Sequence, residues 1–154
     1  RMKRIFNTEF EISLKILLLL STISPEIMTT ERIVYYDFIA SYGFSFSVYN
    51  INLNGDNSYR FEEIGARRTR CIQAIKSLVL DGLISVKRSR EGFKYSINEN
   101  GANVVEALSS EYAKQYRAAV KGTHDKYCMF SDVELIKEIN QKALQLIRGE
   151  QNVF

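Results

Sequence analysis

Residues 69–101 read TRCIQAIKSLVLDGLISVKRSREGFKYSINENG and carry two successive patterns of apolar residues. In the first, apolar residues recur at intervals of three and four as far as Leu80, which predicts a helix over residues 59–80. Beyond Leu80, apolar residues alternate with polar ones on both sides of a basic turn at residues 87–92. Alternation around a turn that contains glycine predicts a β-hairpin, so a long helix leads directly into a hairpin.

Two helices and a loop are predicted before this segment. The first helix covers residues 9–23, and the second begins at Thr29 or Thr30 and ends at Gly43. Residues 44–58 combine aromatic residues that alternate with serines and several asparagines, which predicts a short strand followed by a loop.

Two further helices are predicted after the hairpin. One covers residues 102–121 and is closed by Gly122, and the other covers residues 132–148. Ser131 and Glu134 have the spacing of a capping box at the start of the last helix. Apolar residues span about half the circumference of that helix, whereas packing onto one domain needs a stripe of about 100°. The surplus predicts a second partner for the last helix.

The helix over residues 9–23 is apolar on two faces. One face holds Phe10, Leu14, Leu17 and Leu18, and the other holds Ile12, Ile16, Leu19 and Ile23. Such a helix must be covered from both sides. We expect the second face to supply contacts with another protein.

The order of three helices, a basic hairpin and a further helix resembles winged helix-turn-helix domains. Gly82 lets the chain turn away from the third helix, and Gly92 turns the hairpin. The expected fold class is therefore mainly α with a small β-hairpin wing. The winged helix-turn-helix would occupy residues 1–108, with additional C-terminal helices in residues 109–154 for oligomer or partner contact.

In that family the third helix lies in the DNA major groove and the wing touches the backbone or the minor groove. Residues on the outward side of the third helix or in the wing are therefore the candidate nucleic-acid contacts: Arg67, Thr69, Arg70, Gln73, Ser77, Lys87, Arg88, Arg90 and Lys94. Nine basic and four acidic residues lie between Arg60 and Lys94, which suits a surface that faces a polyanion. An ordinary solvated helix face, and hairpin cations that protect a strand edge, remain the alternatives.

Arg68 is predicted to have a structural role. It falls on the inward stripe of the third helix, between Ile64 and Ile72, where an unpaired guanidinium would be costly to bury. We expect it to form an ion pair with a carboxylate of the second helix or its neighbourhood, with Asp37 as the first choice.

Two segments resemble a narrower family. Residues 5–11 (IFNTEFE), and residues 52–57 (NLNGDN) with the later Ala66-Arg67-Arg68, resemble the middle component of bacterial ABC-three-component systems. The resemblance implies a small winged-helix protein that works beside an SMC-like or RecN-like ABC ATPase and a third component. It also implies a role in defence against phage or other mobile DNA.

Composition argues against an enzyme. The chain has 154 residues, 45% of them hydrophobic, and a formal charge of +3, which suits one globular domain. It has one histidine, His124, with Asp125 and Cys128 nearby, too few ligands for a closed metal site. A phosphate-binding Gly-Lys-Ser/Thr loop is absent from the sequence, so we expect no catalytic residue, cofactor or metal.

Two cysteines and no apolar run of membrane length predict a cytoplasmic protein.

Three functional hypotheses follow. The first is a winged-helix adaptor that bridges the ATPase and another component and contacts DNA. The second is a homodimeric transcription regulator whose recognition helices read half-sites about one helical turn apart. The third is a protein scaffold without DNA contact.

Overall fold

Six helices and three strands make up the part of the chain that the computed structural model describes, which is residues 8–55 and 64–152. In chain order they are α1 (Glu9–Ile23), β1 (Met28–Thr29), α2 (Thr30–Ser41), α3 (Ile64–Leu80), β2 (Ile84–Ser89), β3 (Gly92–Ile97), α4 (Glu99–Glu106), α5 (Glu111–Tyr127) and α6 (Asp132–Asn152). The fold is mainly helical with one small antiparallel sheet. The start predicted for α3, at residues 59–63, lies outside the described residues.

Helix α1 is buried by the chain itself. Thr8 caps it by accepting a hydrogen bond from the backbone N–H of Glu11 at 3.2 Å. The helix packs against four other helices and β3. Its buried apolar residues are Ile12, Ile16, Leu17, Leu18, Leu19, Leu20 and Ile23. The predicted cover of the first face is confirmed for Leu17 and Leu18, whereas Phe10 at the start of the helix is 71% exposed. The expected partner contact through the second face is wrong, because the chain's own elements cover Ile12, Ile16, Leu19 and Ile23.

Helix α2 begins and ends close to the predicted positions. Thr29 caps it by accepting a hydrogen bond from the backbone N–H of Arg32 at 3.1 Å. Every residue from Ile33 to Ser41 is buried. Because the helix is covered on all sides, the side chain of Asp37 lies inside the protein.

A turn-rich loop, and not the predicted strand, occupies residues 44–55. The side-chain oxygen of Asn52 accepts hydrogen bonds from the backbone N–H of Phe44 and of the next residue, at 2.9 and 3.1 Å. Phe46 is buried, whereas Phe44 is 63% exposed. The alternation in the sequence therefore reflects one anchoring aromatic residue in a turn, which explains the error.

Gly122 lies within α5 and does not end a helix. A Cβ atom at this position would overlap the carbonyl oxygen of Val48, so glycine lets the loop lie directly on α5. The single helix predicted over residues 102–121 is also wrong. It is divided into α4 and α5 because Ser110 starts a new helix by accepting a hydrogen bond from the backbone N–H of Ala113 at 3.1 Å.

The predicted hairpin is confirmed as β2 and β3. The strand order is β1-β3-β2, with Val86 opposite Tyr95 and Met28 on the other side of Tyr95. Gly82, with φ of +73°, makes the turn from α3 into β2. Strand β1 was not predicted, because two residues carry no alternation.

Helix α6 begins with the predicted capping box. The backbone N–H of Glu134 donates to Ser131 Oγ at 3.1 Å, and Ser131 N–H donates to Glu134 Oε1 at 2.8 Å. The helix continues past the predicted end at residue 148, to Asn152. Its buried residues Leu135 and Ile139 belong to the core, and the helix packs against α2.

This order of helices and strands is compatible with a winged helix. The division at residue 108 stays a prediction, and α5 packs against both α1 and α2. None of the described helices is long and apolar enough to cross a lipid bilayer.

Candidate nucleic-acid and protein interface

The outward side of α3 holds some of the predicted contact residues. Thr69 and Gln73 are exposed, and Arg70 is half-buried. Ser77 is also half-buried, and its hydroxyl donates a hydrogen bond to Glu9 of α1 at 2.9 Å. Two of the predicted side chains are thus open to a partner, while Ser77 faces the start of α1.

Arg67 is not on this surface, and its prediction as a nucleic-acid contact is wrong. Arg67 is only 5% exposed, and its guanidinium forms an ion pair with Asp37 at 2.5 Å. The burial follows from helical spacing, because Arg67 lies four, seven and eleven residues before Cys71, Ala74 and Leu78, all of which are buried. That stripe was the available sequence signal.

Arg68 forms the predicted ion pair with a carboxylate of the second helix, but its partner is not the first choice, Asp37. It forms an ion pair with Glu31 of α2, and both side chains are about 40% exposed. The predicted pairing with Asp37 is wrong because Arg67, one residue earlier, points into the core instead. Arg68 therefore joins α3 to the start of α2 at the surface.

Asp37 is the centre of a buried charged cluster that joins α1, α2, α3 and α5. Lys15 Nζ lies 3.1 Å from one carboxylate oxygen and donates to Ser41 at 3.2 Å. The Tyr116 hydroxyl donates to Asp37 at 2.6 Å. Two cations, Lys15 and Arg67, thus face one carboxylate in the core.

Electrostatics in this cluster follow from burial and from the two cations. Burial pushes the pKa of Asp37 up, but the charges of Lys15 and Arg67 hold it well below its usual range. Burial lowers the pKa of Lys15 despite the nearby carboxylate. Burial raises the pKa of the Cys71 thiol to about 12, with a further contribution from Asp37. The cluster holds α1, α2, α3 and α5 together, since its charged and polar side chains contact one another inside the protein.

His124 makes two side-chain contacts. Its Nδ1 lies 2.8 Å from the Tyr36 hydroxyl, and its Nε2 lies 2.9 Å from a carboxylate oxygen of Glu26. Among the described residues, no group of three or more His, Cys, Asp or Glu side chains could hold a metal ion.

The hairpin carries the remaining predicted cations. Lys87, Arg88 and Arg90 are exposed, and the Arg88 guanidinium lies 5.7 Å from the centre of the Phe93 ring. Lys94 is half-buried and forms an ion pair with Glu91 at 2.7 Å. Three exposed cations therefore remain at and near the tip of the hairpin.

An apolar groove, which we call the hairpin groove, opens between α3 and the hairpin. Its volume is about 430 Å³. It is lined by Ile75, Lys76, Val79, Leu80, Val86, Phe93 and Tyr95. The groove was not predicted from the sequence, although Leu78, Val79 and Leu80 are consecutive, and one helix face cannot bury three consecutive residues.

A second apolar surface, the C-terminal patch, consists of Met129, Val133 and Leu144. These residues are 90%, 62% and 51% exposed, respectively. Val133 and Leu144 lie eleven residues apart on α6, close to three full turns, so they share one face, on which Lys137 and Asn140 lie between them. Both residues belong to the apolar set from which a surplus was predicted for the last helix, and a second partner for that helix stays a prediction.

The chain is similar to one family of known proteins. The model of the family described as ABC-three component (ABC-3C) system Middle Component 2 matches residues 5–149. The chain belongs to this family. The match confirms the resemblance seen in the sequence, and it covers all six helices except the last turn of α6. Middle Component 2 proteins are parts of a multi-protein system. Searches of the curated proteins and of the solved structures found no match.

Proposed function

We propose that this Middle Component 2 protein is a non-enzymatic winged-helix adaptor. It bridges an SMC-like or RecN-like ABC ATPase and the third component of the same system, in defence against phage or other mobile DNA. The observation that carries the proposal is the presence of two exposed apolar surfaces, the hairpin groove and the C-terminal patch, on different elements of one small protein.

Two such surfaces are what a bridging subunit needs. Single exposed apolar residues are normal on a protein surface, whereas the contiguous lining of the hairpin groove marks a binding site. The C-terminal patch adds large exposed apolar side chains elsewhere on the protein. The C-terminal patch lies on α6 and on the turn before it, and the hairpin groove lies on α3, β2 and β3. We assign the hairpin groove to one component and the C-terminal patch, within the proposed extension of residues 109–154, to the other.

Nucleic-acid contact is a further part of the proposal. Arg67 is buried, and Ser77 and Lys94 make contacts within the chain. The remaining candidates are Thr69, Arg70, Gln73, Lys87, Arg88 and Arg90. Cations at the hairpin tip would meet phosphates, while Thr69 and Gln73 would face base edges.

Reconstitution tests the bridging role. The ATPase and the third component are co-expressed with and without this chain, and the complexes are separated by size-exclusion chromatography. We expect the two partners to elute together only when the chain is present. Equal co-elution in its absence would contradict the adaptor role.

A salt titration tests nucleic-acid contact. We expect the reconstituted complex to bind duplex DNA with an affinity that falls as salt rises. Replacing Lys87 and Arg90 with glutamate should flatten this slope by about two phosphate contacts. An unchanged slope would show that the tip does not touch DNA.

The homodimeric regulator remains the alternative, and the exposed C-terminal patch is the observation that favours it. In that case the patch would pair two copies of this chain. A dimer of the isolated chain that Leu144→Asp dissociates, together with binding to a palindromic operator, would support the regulator.

A further inference from the structure

We propose that the hairpin groove binds an amphipathic α-helix of a partner protein. The helix presents apolar side chains to the groove and carries acidic side chains along its flanks. This inference rests on the proposed adaptor role and names the chemistry of one of its contacts.

The shape of the groove suits such a helix. One wall is α3, with Ile75 and Val79, and the other is the hairpin face that holds Val86, Phe93 and Tyr95. Ligand cavities of about 300–1,000 Å³ hold compact apolar groups, so the observed volume of about 430 Å³ accommodates a few large apolar side chains. Side chains three and four residues apart on one helix would enter it together.

The apolar lining is unusually open to water. Leu80 is 85% exposed, Phe93 53% and Val86 47%. Three large apolar side chains beside one concavity form a contiguous patch, which is the pattern of a binding site and not of scattered surface residues. Covering them with a partner's apolar face removes their surface from water, which favours association.

The charge around the groove specifies an acidic partner. Lys76 lies in the lining, and Arg88 lies on the same hairpin face as Val86, with its guanidinium over the Phe93 ring. Neither cation forms an ion pair with a carboxylate in the described part of the chain. Glutamate or aspartate on the flanks of the incoming helix would pair with them, which leaves Lys87 and Arg90 as the hairpin cations for phosphate contact.

A helix fits better than an added strand or a nucleic acid. The groove lies between a helix and the face of the sheet, whereas an added strand would need the free edge of β2. Nucleic acid presents phosphates at its surface, whereas Lys76 is the single cation among the described lining residues and the others are apolar or aromatic, so the groove suits an apolar face better than a row of phosphates.

Two pairs of matched variants test the proposal. Phe93→Asp changes the groove, and Phe44→Asp makes the same change at a phenylalanine outside it that is 63% exposed. Lys76→Glu changes the charge in the groove, and Lys121→Glu makes the same change on α5. Binding of each variant to the purified ATPase and to the purified third component is measured by biolayer interferometry, after thermal unfolding has shown that the variants fold.

We expect Phe93→Asp to weaken binding to one component by about 30-fold, as loss of a central aromatic contact does. Lys76→Glu should weaken the same binding by about fivefold at low salt, and less at high salt. Lys76 is exposed and outside the core, so this variant keeps the test valid if Phe93→Asp fails to fold. The two control variants should stay within about twofold of the wild type.

Photo-crosslinking identifies the occupant. With p-benzoylphenylalanine in place of Leu80, we expect a crosslink to an acidic amphipathic helix of the same component. Crosslinks to DNA alone, or to a strand or a basic segment, would overturn the proposal. If the wild-type complex assembles and the variants Phe93→Asp and Phe44→Asp bind equally well, the groove proposal is also overturned. That result leaves the adaptor role intact. A wild-type chain that binds neither component would contradict the adaptor role itself, and the groove contact with it.

Discussion

Replacing Asp37 with asparagine tests the buried cluster most directly. The carboxylate contacts Lys15, Arg67 and Tyr116 at 3.1, 2.5 and 2.6 Å, respectively. Asparagine keeps the approximate shape but removes the charge from between two buried cations. Removing one partner of a buried ion pair costs about 3–5 kcal/mol, and the lowered pKa of Lys15 limits the loss, because that lysine can release its proton.

We therefore expect Asp37→Asn to lower the free energy of unfolding by about 4 kcal/mol at pH 7. That is a large share of the roughly 5–15 kcal/mol that stabilises a natural domain. For a chain of this length, it corresponds to a decrease in Tm of about 8–16 °C. The measurement is urea denaturation followed by circular dichroism, with Asp125→Asn, an exposed acid on α5, as the matched control that should change stability by less than about 0.5 kcal/mol.

The same comparison has a defined pH dependence. The folded-state pKa of Asp37 lies well below its ordinary value of 3.8, so its contribution is complete above that pH and declines as the pH falls below it. The difference between the wild type and Asp37→Asn should therefore shrink between about pH 4 and about pH 2. A loss of less than about 1 kcal/mol at pH 7, or a difference that is constant on acidification, would refute the reasoning.

Three further predictions concern single positions. Lys15→Met should cost less than about 1 kcal/mol at pH 7, since the second cation still pairs with the carboxylate. Because the folded-state pKa of Lys15 is lowered from 10.5, the unfolded chain binds more protons than the folded protein just below that pH. The stability of the wild type should therefore rise as the pH increases toward 10.5, and Lys15→Met should abolish that rise. The same pH dependence of urea denaturation in both proteins would contradict this. Gly122→Ala should cost about 1–3 kcal/mol by forcing the loop off α5, whereas Gly65→Ala, in space that the described residues leave open, should gain about 0.5–1 kcal/mol; equal effects in thermal unfolding would count against the close approach. In the folded protein only Cys128 should react quickly with a thiol reagent, because Cys71 is buried and its pKa is raised to about 12; two fast thiols would contradict the burial of Cys71.

Much of the fold could be predicted because strong local signals coincide. Thr29 before an apolar run and the Ser131 and Glu134 pair set helix starts that the structure confirms. Errors arose where a local signal had a different cause. Gly122 resembles a helix stop, but it is required by contact with Val48, which is distant in the sequence.

The candidate site was harder to predict because two neighbouring arginines differ in phase on one helix. Arg67 and Arg68 are about 100° apart, so a small error in choosing the inward stripe exchanges their roles. The buried stripe begins at Arg67 and continues through Cys71, and its charge is acceptable there because Asp37 receives it. Three consecutive apolar residues, 78–80, indicate exposed apolar surface on α3, but the hairpin groove itself depends on how that helix and the sheet lie side by side.

The position of Arg67 has a consequence for how this protein could diversify. Its ion pair with Asp37 sets the rotation of α3 about its own axis, so the same side of the helix always faces outward. Thr69 and Gln73 on that side are exposed. Evolution can therefore exchange these two residues to suit new binding partners, while the internal ion pair preserves the alignment of the helix.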